Sequence, residues 1–391
     1  MIRFLGRLRR AWPGTSLRTA RRAAGLASLV ATFAPLASTA LAAPTSSTAL
    51  AAPHSTTALP APGAAPRLEE VVVTVADLRP LEAAFTQVLK WQVVFRGNLR
   101  PAEVAGWGLA PGTRGRQLLL GSPSAAHGRI RFVALDAGRG GRAEPMRPAP
   151  RWWDTGGAFA VNLFVDDAEA AMRGLRARGW STALPMQAYE ERAGERVTAR
   201  GRFARMVGPD DFVLSFQQRE VPALEKWPRF VGASHVENVM EPVTDLGAWT
   251  TVAAALLGVE APPRTRRDIV ARPEAAASYG LPASLAAAAG AEQSILRIGP
   301  AREQMLTGWR FDSLRGVDHA ARIDARHLGV LALRVRVADA AAAAARLAQA
   351  ADSAGTTRAR TSSPQRSWGT PITAACATAG CASSASSTSR G

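Results

Sequence analysis

One supersecondary pattern occurs four times in this chain of 391 residues, and it constrains the fold more than any other feature. Each copy has an apolar strand, a Val-x-Asp sequence and an Ala- and Leu-rich helix, with the aspartates at Asp77, Asp167, Asp245 and Asp339. An aspartate at this place ends the strand and accepts hydrogen bonds from free amides of the first helical turn. The repeat therefore predicts four copies of one structural unit, named here modules one to four in chain order.

Short strand candidates follow the helix in the first three modules. Alternating apolar and polar residues mark them, and Gly- and Pro-containing turns separate them. They are Gln92–Arg96, Gln117–Gly121, Arg129–Asp136, Ala183–Gln187, Arg202–Val207, Phe212–Gln217, Asp268–Arg272, Ser294–Ile298 and Met305–Phe311. Each module is thus predicted to be a βαβββ unit. The first and third aspartates lie 168 residues apart and the second and fourth 172 apart, which favours two successive pairs of modules.

Paired βαβββ units whose first strand closes on Val-x-Asp resemble the vicinal oxygen chelate superfamily, which includes glyoxalase I, extradiol dioxygenases and bleomycin-resistance proteins. The resemblance covers about residues 68–350. It implies an α+β fold with two tandem domains, each curling a sheet around a half-open cavity, and a homodimer formed through such domains as one assembly. On this basis we assign 68–219 to the first domain (modules 68–136 and 157–219), 220–230 to a linker and 231–352 to an incomplete second domain.

The N-terminus has the pattern of a bacterial export signal. Residues 1–22 are Arg-rich and acid-free, residues 23–42 are apolar and small, and Ala40-Leu41-Ala42 offers a cleavage site. The Arg21-Arg22 pair leaves Sec and Tat export both open. Alanine supplies most of the hydrophobicity and Pro35 interrupts the run, which disfavours a stable membrane anchor. We therefore expect a periplasmic protein, with an Ala/Pro/Ser/Thr-rich linker over residues 43–67.

The net charge of +17 gives little reason to expect a nucleic-acid partner. Seven arginines and no acid lie in residues 1–42, and residues 352–391 add +3, so the body of the chain holds +7. No basic helix with interleaved aromatic residues is present. The two cysteines, Cys376 and Cys381, exclude a disulfide framework and a Cys-rich zinc site.

The metal ligands that the resemblance implies are missing from their usual places. In metal-dependent members a histidine stands seven residues before the module aspartate, and here those places hold Glu70, Ala160, Asn238 and Ala332. The final-strand acid is replaced by Arg131 in module one and by Ser215 in module two. We therefore expect no cofactor. The alternative is a divalent ion (Fe, Mn, Ni or Zn) held by Glu70 together with His235 or His319, since one carboxylate alone binds such ions poorly.

A mostly apolar cavity with a few orienting polar groups suits a small organic ligand. By strand parity the predicted ligand-binding residues are Glu70, Thr74, Asn162, Phe164, Ser215, Gln217, Asn238 and Arg334. Glu70 is also the candidate catalytic residue, as a general base if the cavity raises its pKa. The favoured function is binding of a small, partly apolar molecule. The alternatives are a metal-dependent lyase, isomerase or ring-cleaving dioxygenase with displaced ligands, and a structural or interaction protein without a small-molecule site.

Several polar residues outside this set are expected to have no chemical role. Glu237 and Glu241 are predicted to face solvent, His235 to be a surface or packing residue, and His319 and His327 to lie in a solvated loop. The Ser-, Thr- and Ala-rich residues 353–391 are predicted not to belong to the fold, as a genuine tail or as an out-of-frame ending.

Overall fold

The computed structural model describes residues 65–136, 143–149, 151–193, 195–222, 224, 227–268, 281, 285, 290–312, 314, 316–359 and 372–375. These residues form two mixed sheets, of six and eight strands. The predicted export signal and most of the predicted linker lie outside the described residues.

Modules one and four build the first sheet. Module one supplies β1 (Arg67–Thr74), β2 (Gln92–Asn98), β3 (Gly115–Gly121) and β4 (Arg129–Leu135), and module four supplies β13 (Gly329–Arg336) and β14 (Ile372–Ala375). The strand order is β14–β13–β1–β4–β3–β2. The helices of these two modules are α1 (Arg79–Ala83), which a π-helical turn continues over Ala84–Val88, α2 (Pro101–Gly106) and α5 (Ala340–Ala359).

Modules two and three build the second sheet. Its strands are β5 (Ala160–Val165), β6 (Ser181–Ala193), β7 (Arg196–Val207), β8 (Val213–Val221), β9 (Ala233–Pro242), β10 (Thr265–Asp268), β11 (Gly290–Ile298) and β12 (Gln304–Asp312). The strand order is β10–β11–β12–β9–β5–β8–β7–β6. The helices are α3 (Ala168–Arg176) and α4 (Leu246–Leu257), with short 3-10 turns at Pro209–Asp211 and Ala320–Arg322.

The strand pairing confirms the βαβββ unit. In each of the first three modules the first strand pairs parallel with the fourth, and the third strand lies between the fourth and the second. The α+β fold of paired modules predicted from the repeat is therefore present. The predicted strands of modules one and two match observed strands, except that Asp136 and Phe212 lie one residue outside β4 and β8. Residues 269–272 of the predicted Asp268–Arg272 strand lie outside the described residues.

The modules do not pair in chain order, which corrects the grouping expected from their spacing. Strand β1 pairs antiparallel with β13, placing Glu70 opposite Arg334, and β5 pairs antiparallel with β9, placing Asn162 opposite Asn238. Spacing along the chain reports the length of the repeat, whereas sheet pairing depends on which first strands meet edge to edge. The sheets therefore join module one to module four and module two to module three.

The module aspartates cap their helices as predicted in three of the four copies. The Oδ1 atoms of Asp167, Asp245 and Asp339 accept the amide three residues ahead, at 2.9, 2.9 and 3.0 Å. Asp77 instead accepts the amide of Arg79 at 3.1 Å. The reason is covalent, because the residue three positions after Asp77 is Pro80, which has no N–H to donate.

One cluster of buried residues covers the helix-packed faces of both sheets, with Phe85, Phe132 and Phe216 among its largest members. The opposite faces, called helix-free here because α1, α3, α4 and α5 do not cover them, carry two smaller clusters, one on each sheet, and of the described helices only the short α2 contacts the first of these faces. Since alternate residues of a strand point to opposite faces, the residues predicted to line cavities lie on these helix-free faces.

The tail contributes more to the fold than expected. Helix α5 continues to Ala359, and Ile372–Ala375 pairs parallel with β13 as strand β14. Among the described residues, module four therefore supplies two strands, β13 and β14. Residues 360–371 and 376–391 lie outside the described residues. No helix among the described residues is both long enough and apolar enough to cross a membrane.

Candidate functional site

The helix-free face of the first sheet carries an ion pair between neighbouring parallel strands. Arg131 on β4 donates from Nε and Nη2 to the two carboxylate oxygens of Glu70 on β1, at 2.7 and 2.8 Å. Arg334 on β13 donates from Nη1 to Glu70 at 3.0 Å. The side chains of Glu70 and Arg131 are 12% and 8% exposed, whereas that of Arg334 is 36% exposed. One carboxylate therefore lies between a buried and an accessible guanidinium group.

These contacts set the protonation state of Glu70. Burial raises its pKa, but hydrogen bonds and charges from Arg131 and Arg334 together outweigh burial and hold the pKa below its ordinary value. A general base near neutral pH needs a raised carboxyl pKa. Glu70 was predicted to act as a base only if its pKa is raised, and its pKa is lowered instead. Its carboxylate serves to hold Arg131 and Arg334.

The ion pair continues into a network on the same face. Arg131 donates from Nη1 to the Gln117 side-chain oxygen at 2.6 Å, and Gln117 donates to Glu103 at 2.8 Å. Arg100 donates to Glu103 at 2.8 Å, next to the N-terminus of α2. Three arginines thus meet two glutamates, and the group holds one excess positive charge.

Apolar residues flank this network. Val72, Val133, Met146, Ala325, Leu331 and Ala332 form the buried cluster of this face, with Leu99, Trp107, Leu109, Leu135 and Ile323 packed against it. Thr74, predicted to bind ligand, is 2% exposed, and its hydroxyl donates to the carbonyls of His327 and Gly329. Thr74 therefore fastens β1 to the segment before β13.

The helix-free face of the second sheet holds the other predicted residues. Asn162 donates to the Met240 sulfur at 3.0 Å, and Asn238 accepts the Thr307 hydroxyl at 2.9 Å. Gln217 donates to both carboxylate oxygens of Glu237 at 3.1 Å. The predicted set is thus divided between the sheets, with Glu70, Thr74 and Arg334 on the first and Asn162, Phe164, Ser215, Gln217 and Asn238 on the second.

Aromatic side chains fill one end of this second face. The Trp152 ring lies 5.1 Å from Phe159 and 5.6 Å from Trp309, measured between centroids, and the Arg205 guanidinium carbon is 3.8 Å from the Trp152 ring centroid. Ser215 is 7% exposed, and Phe164 is 1% exposed with its ring against Trp227.

A cavity between the segments near Phe159, Val213 and Val330 measures about 20 Å³. That volume is room for about one water molecule. The packed aromatic end of the second face and this small adjoining cavity together favour a structural role for that face.

The positions implied by the resemblance do not suit a metal ion. Ala160 and Ala332 have no ligand atom, the Asn238 oxygen accepts a hydroxyl, and Glu70 is engaged by two arginines. A guanidinium group next to a carboxylate competes with a cation for it. The alternative set of Glu70 with His235 or His319 is not assembled either, because the His/Glu group found among the described residues includes His235 but neither Glu70 nor His319.

That group consists of His127, His235 and Glu303, whose ligand atoms all lie within 4.8 Å of one another. His127 is in the turn between β3 and β4, His235 is on β9, and Glu303 is in the turn before β12. Burial first, and then His127, lower the pKa of His235 to about 3. Burial, followed by Arg67, also lowers the pKa of His127. Both imidazoles are consequently neutral at pH 7.

Three residues expected to be solvated, Glu237, Glu241 and His319, are buried, and so is His235, which was expected to be a surface or packing residue. Glu237, Glu241 and His319 are 2%, 3% and 5% exposed, and His235 is fully buried. Burial, the largest effect, raises the pKa of Glu237 to about 7. A register shift between β5 and β9 next to Glu237 turns its side chain inward to Gln217, and alternation along the sequence contains no signal for such a bulge. His319 Nε2 lies 3.3 Å from Asp154 Oδ2, next to an isolated bridge between Thr155 and Asp318.

Comparison with known proteins shows similarity of fold only. No family model matches the chain, and no curated protein matches it significantly. Glyoxalase I from Zea mays is 13% identical over 74% of this chain and 81% of that chain, with a TM-score of 0.46. The glyoxalase family protein from Bacillus cereus is 17% identical over 39% of this chain and 93% of that chain, with a TM-score of 0.33. A glyoxylase/bleomycin resistance protein/dioxygenase domain from Frankia sp. is 16% identical over 39% of this chain and 98% of that chain, with a TM-score of 0.26.

Proposed function

We propose that this chain is an exported member of the vicinal oxygen chelate superfamily that binds a small, partly apolar anion without a metal ion. The proposed site is the helix-free face of the first sheet. The observation that carries the proposal is the half-exposed Arg334, which lies beside a buried ion pair and an apolar cluster.

The charge of the site favours an anion. Glu70 and Glu103 balance two of the three arginines, which leaves one positive charge on the network. A guanidinium group has five N–H donors, and the contact of Arg334 with Glu70 uses one of them. The planar fork of an arginine suits bidentate binding of a carboxylate or phosphate. The exposed guanidinium of Arg334 is therefore the group that would fix the anionic end of a ligand.

The apolar residues beside the network would contact the apolar part of the ligand. Trp107 and Leu109 pack against the buried cluster of this face without being fully buried themselves. Apolar side chains with one charged group that orients the ligand are the lining typical of small-molecule sites. The export part of the proposal is supported by the Arg-rich segment and the small apolar stretch in residues 1–42.

The test is thermal unfolding of the purified protein with a library of small aromatic and aliphatic carboxylates and phosphates, each matched by its neutral amide or alcohol. We expect an anionic compound to raise the midpoint of unfolding, its neutral partner to have little effect, and Arg334→Gln to abolish the rise. Arg326→Gln is the control, because Arg326 makes a surface pair with Asp324.

Three results would refute parts of the proposal. Stabilisation by no member of the library would refute ligand binding at this site. An equal rise in Arg334→Gln would refute the assigned anchor. Loss of the rise after exhaustive chelation, restored by a metal, would refute metal independence.

The second sheet is assigned a structural role. One end of its helix-free face, the space that a ligand would need, is filled by Trp152, Phe159 and Trp309. The third expectation from the sequence, a structural or interaction protein without a small-molecule site, concerned the whole chain, and here a structural role is proposed for the second sheet alone.

A further inference from the structure

Two histidines and a glutamate converge where the two sheets meet. His127 Nε2 lies 3.5 Å from Glu303 Oε1, and the His235 ring centroid lies 4.6 Å from that of His127. Ligands 2.0–2.1 Å from a tetrahedral zinc ion lie about 3.4 Å apart, so the first pair already has a suitable separation. The ligand atoms of His127, His235 and Glu303 all lie within 4.8 Å of one another. The side chain of His127 lies on a turn and is 16% exposed, so it has room to move toward an ion.

The imidazole nitrogens at this place lack hydrogen bonds. Both ring nitrogens of His235 and Nε2 of His127 are buried with no hydrogen-bond partner in the described part of the chain. His235 itself has no exposed surface. Burying polar atoms without partners costs free energy, and an electrophile bound between the two rings would remove part of that cost.

Backbone hydrogen bonds next to His127 and His235 hold the two histidines in place. The Gly128 amide donates to the Leu68 carbonyl at 2.9 Å, and the Val236 amide donates to the Gly128 carbonyl at 2.8 Å. Gly128 has φ +60°, and a Cβ there would lie 3.1 Å from the His235 Cβ, so the close approach of the turn to β9 needs glycine. The Trp227 ring stacks on His235 at 4.3 Å between centroids.

We propose that His127, His235 and Glu303 bind a divalent transition metal, with zinc as the ion that best suits the site. Two imidazoles and one carboxylate are a ligand set that zinc accepts, and three protein ligands leave one position for water. The first histidine belongs to the first sheet and the other two residues to the second, so the ion would fasten the sheets together. The site is separate from the face proposed to bind an anion.

The experiment is a zinc titration of metal-free protein, followed by thermal unfolding and by competition with a chromophoric chelator. We expect one zinc ion per chain and a higher midpoint of unfolding, because an ion that binds only the folded state stabilises it. His127→Gln should weaken zinc binding by more than about 100-fold, since loss of a ligand exceeds the 10- to 100-fold effect of losing a supporting group. Cobalt should give visible absorption bands in the native protein and lose them in His127→Gln.

The controls separate this site from other zinc-binding groups. His327→Gln changes a histidine outside the group, and Cys376→Ser with Cys381→Ser removes the two thiols, so both variants should bind zinc as the native protein does. Glu303→Gln provides a second variant if His127→Gln does not fold, with folding checked by circular dichroism. The proposal is overturned if native protein takes up no zinc, or if His127→Gln and Glu303→Gln bind it with unchanged affinity.

Discussion

Replacing Arg131 by methionine tests whether the ion pair with Glu70 is a buried structural pair. Arg131 donates two hydrogen bonds to Glu70 and one to Gln117, and both members of the pair are about nine-tenths buried. Removing one partner of a buried pair costs about 3–5 kcal/mol, because the remaining charge loses its compensation. Arg334 stays within 3.0 Å of Glu70, so we expect a loss near the lower end, about 3 kcal/mol at pH 7.

The pKa of Glu70 also predicts how the loss of stability changes with pH. In the native protein the lowered pKa of Glu70 means that its stabilising contribution is present above the ordinary carboxyl range and is lost as the pH falls through the lowered value. In Arg131→Met, burial is left with less opposition and raises the pKa of Glu70. The penalty is then present at pH 7 and disappears as acid protonates the folded carboxyl group. The difference in stability between native protein and variant should therefore shrink between pH 7 and pH 4.5.

Urea unfolding followed by tryptophan fluorescence and circular dichroism at both pH values measures this difference. The double variant Glu70→Leu with Arg131→Met removes both charges, and we expect it to recover all but about 1 kcal/mol of the loss. A single variant that loses less than about 1 kcal/mol, or a loss that is the same at both pH values, would show that Glu70 is solvated and that the buried-pair reasoning is wrong.

Three further experiments probe other parts of the structure. Thr74→Val removes the hydroxyl that donates to His327 and Gly329 and should lower the free energy of unfolding in urea by about 1–3 kcal/mol. Thr74→Ser keeps the hydroxyl and should be close to native, so equal losses in both variants would contradict the hydrogen-bond explanation. Asp167→Ala should cost about 1 kcal/mol through loss of the α3 cap, and Asp77→Ala should cost less because Pro80 offers no amide; the reverse order would be inconsistent with the observed caps. Trp152→Ala should cost about 3–5 kcal/mol and open a cavity that added indole refills, raising the midpoint of unfolding; if indole has no such effect on the variant, the second face is not filled as described.

The fold was accessible from the sequence because it is encoded locally. Each Val-x-Asp sequence ends a strand and starts a helix within ten residues, and alternation along IRFVAL places Arg131 on the face opposite Ile130 and Phe132. The same parity put Glu70 and Arg334 each on the cavity-facing side of its own module, but in different domains, and only the structure shows them bonded on one face of the first sheet. Local periodicity thus sufficed for the module and for the direction of its side chains.

Other features of the sites depend on contacts between residues far apart in the sequence, which no local pattern predicts. His127 and His235 are brought together by the backbone bond from Val236 to Gly128, and neither residue stands at a recognisable ligand spacing. Glu237 faces Gln217 because of a register shift that a strictly alternating strand would not contain. Arg131 stood at the place of a metal ligand in the sequence, but that it pairs with Glu70 followed only from the parallel register of β1 and β4.

The pairing of module one with module four has a consequence for the proposed anion site. Glu70 and Arg334 are 264 residues apart in the chain, so the site forms only when the beginning and the end of the described fold share a sheet. Strand β1 is hydrogen-bonded on one side to β4 of its own module and on the other side to β13. Without β13 that edge would offer unpaired backbone groups, and Glu70 would lose one of its two cations. The stability of the first sheet and the anion affinity proposed for it should therefore fall together when β13 is weakened.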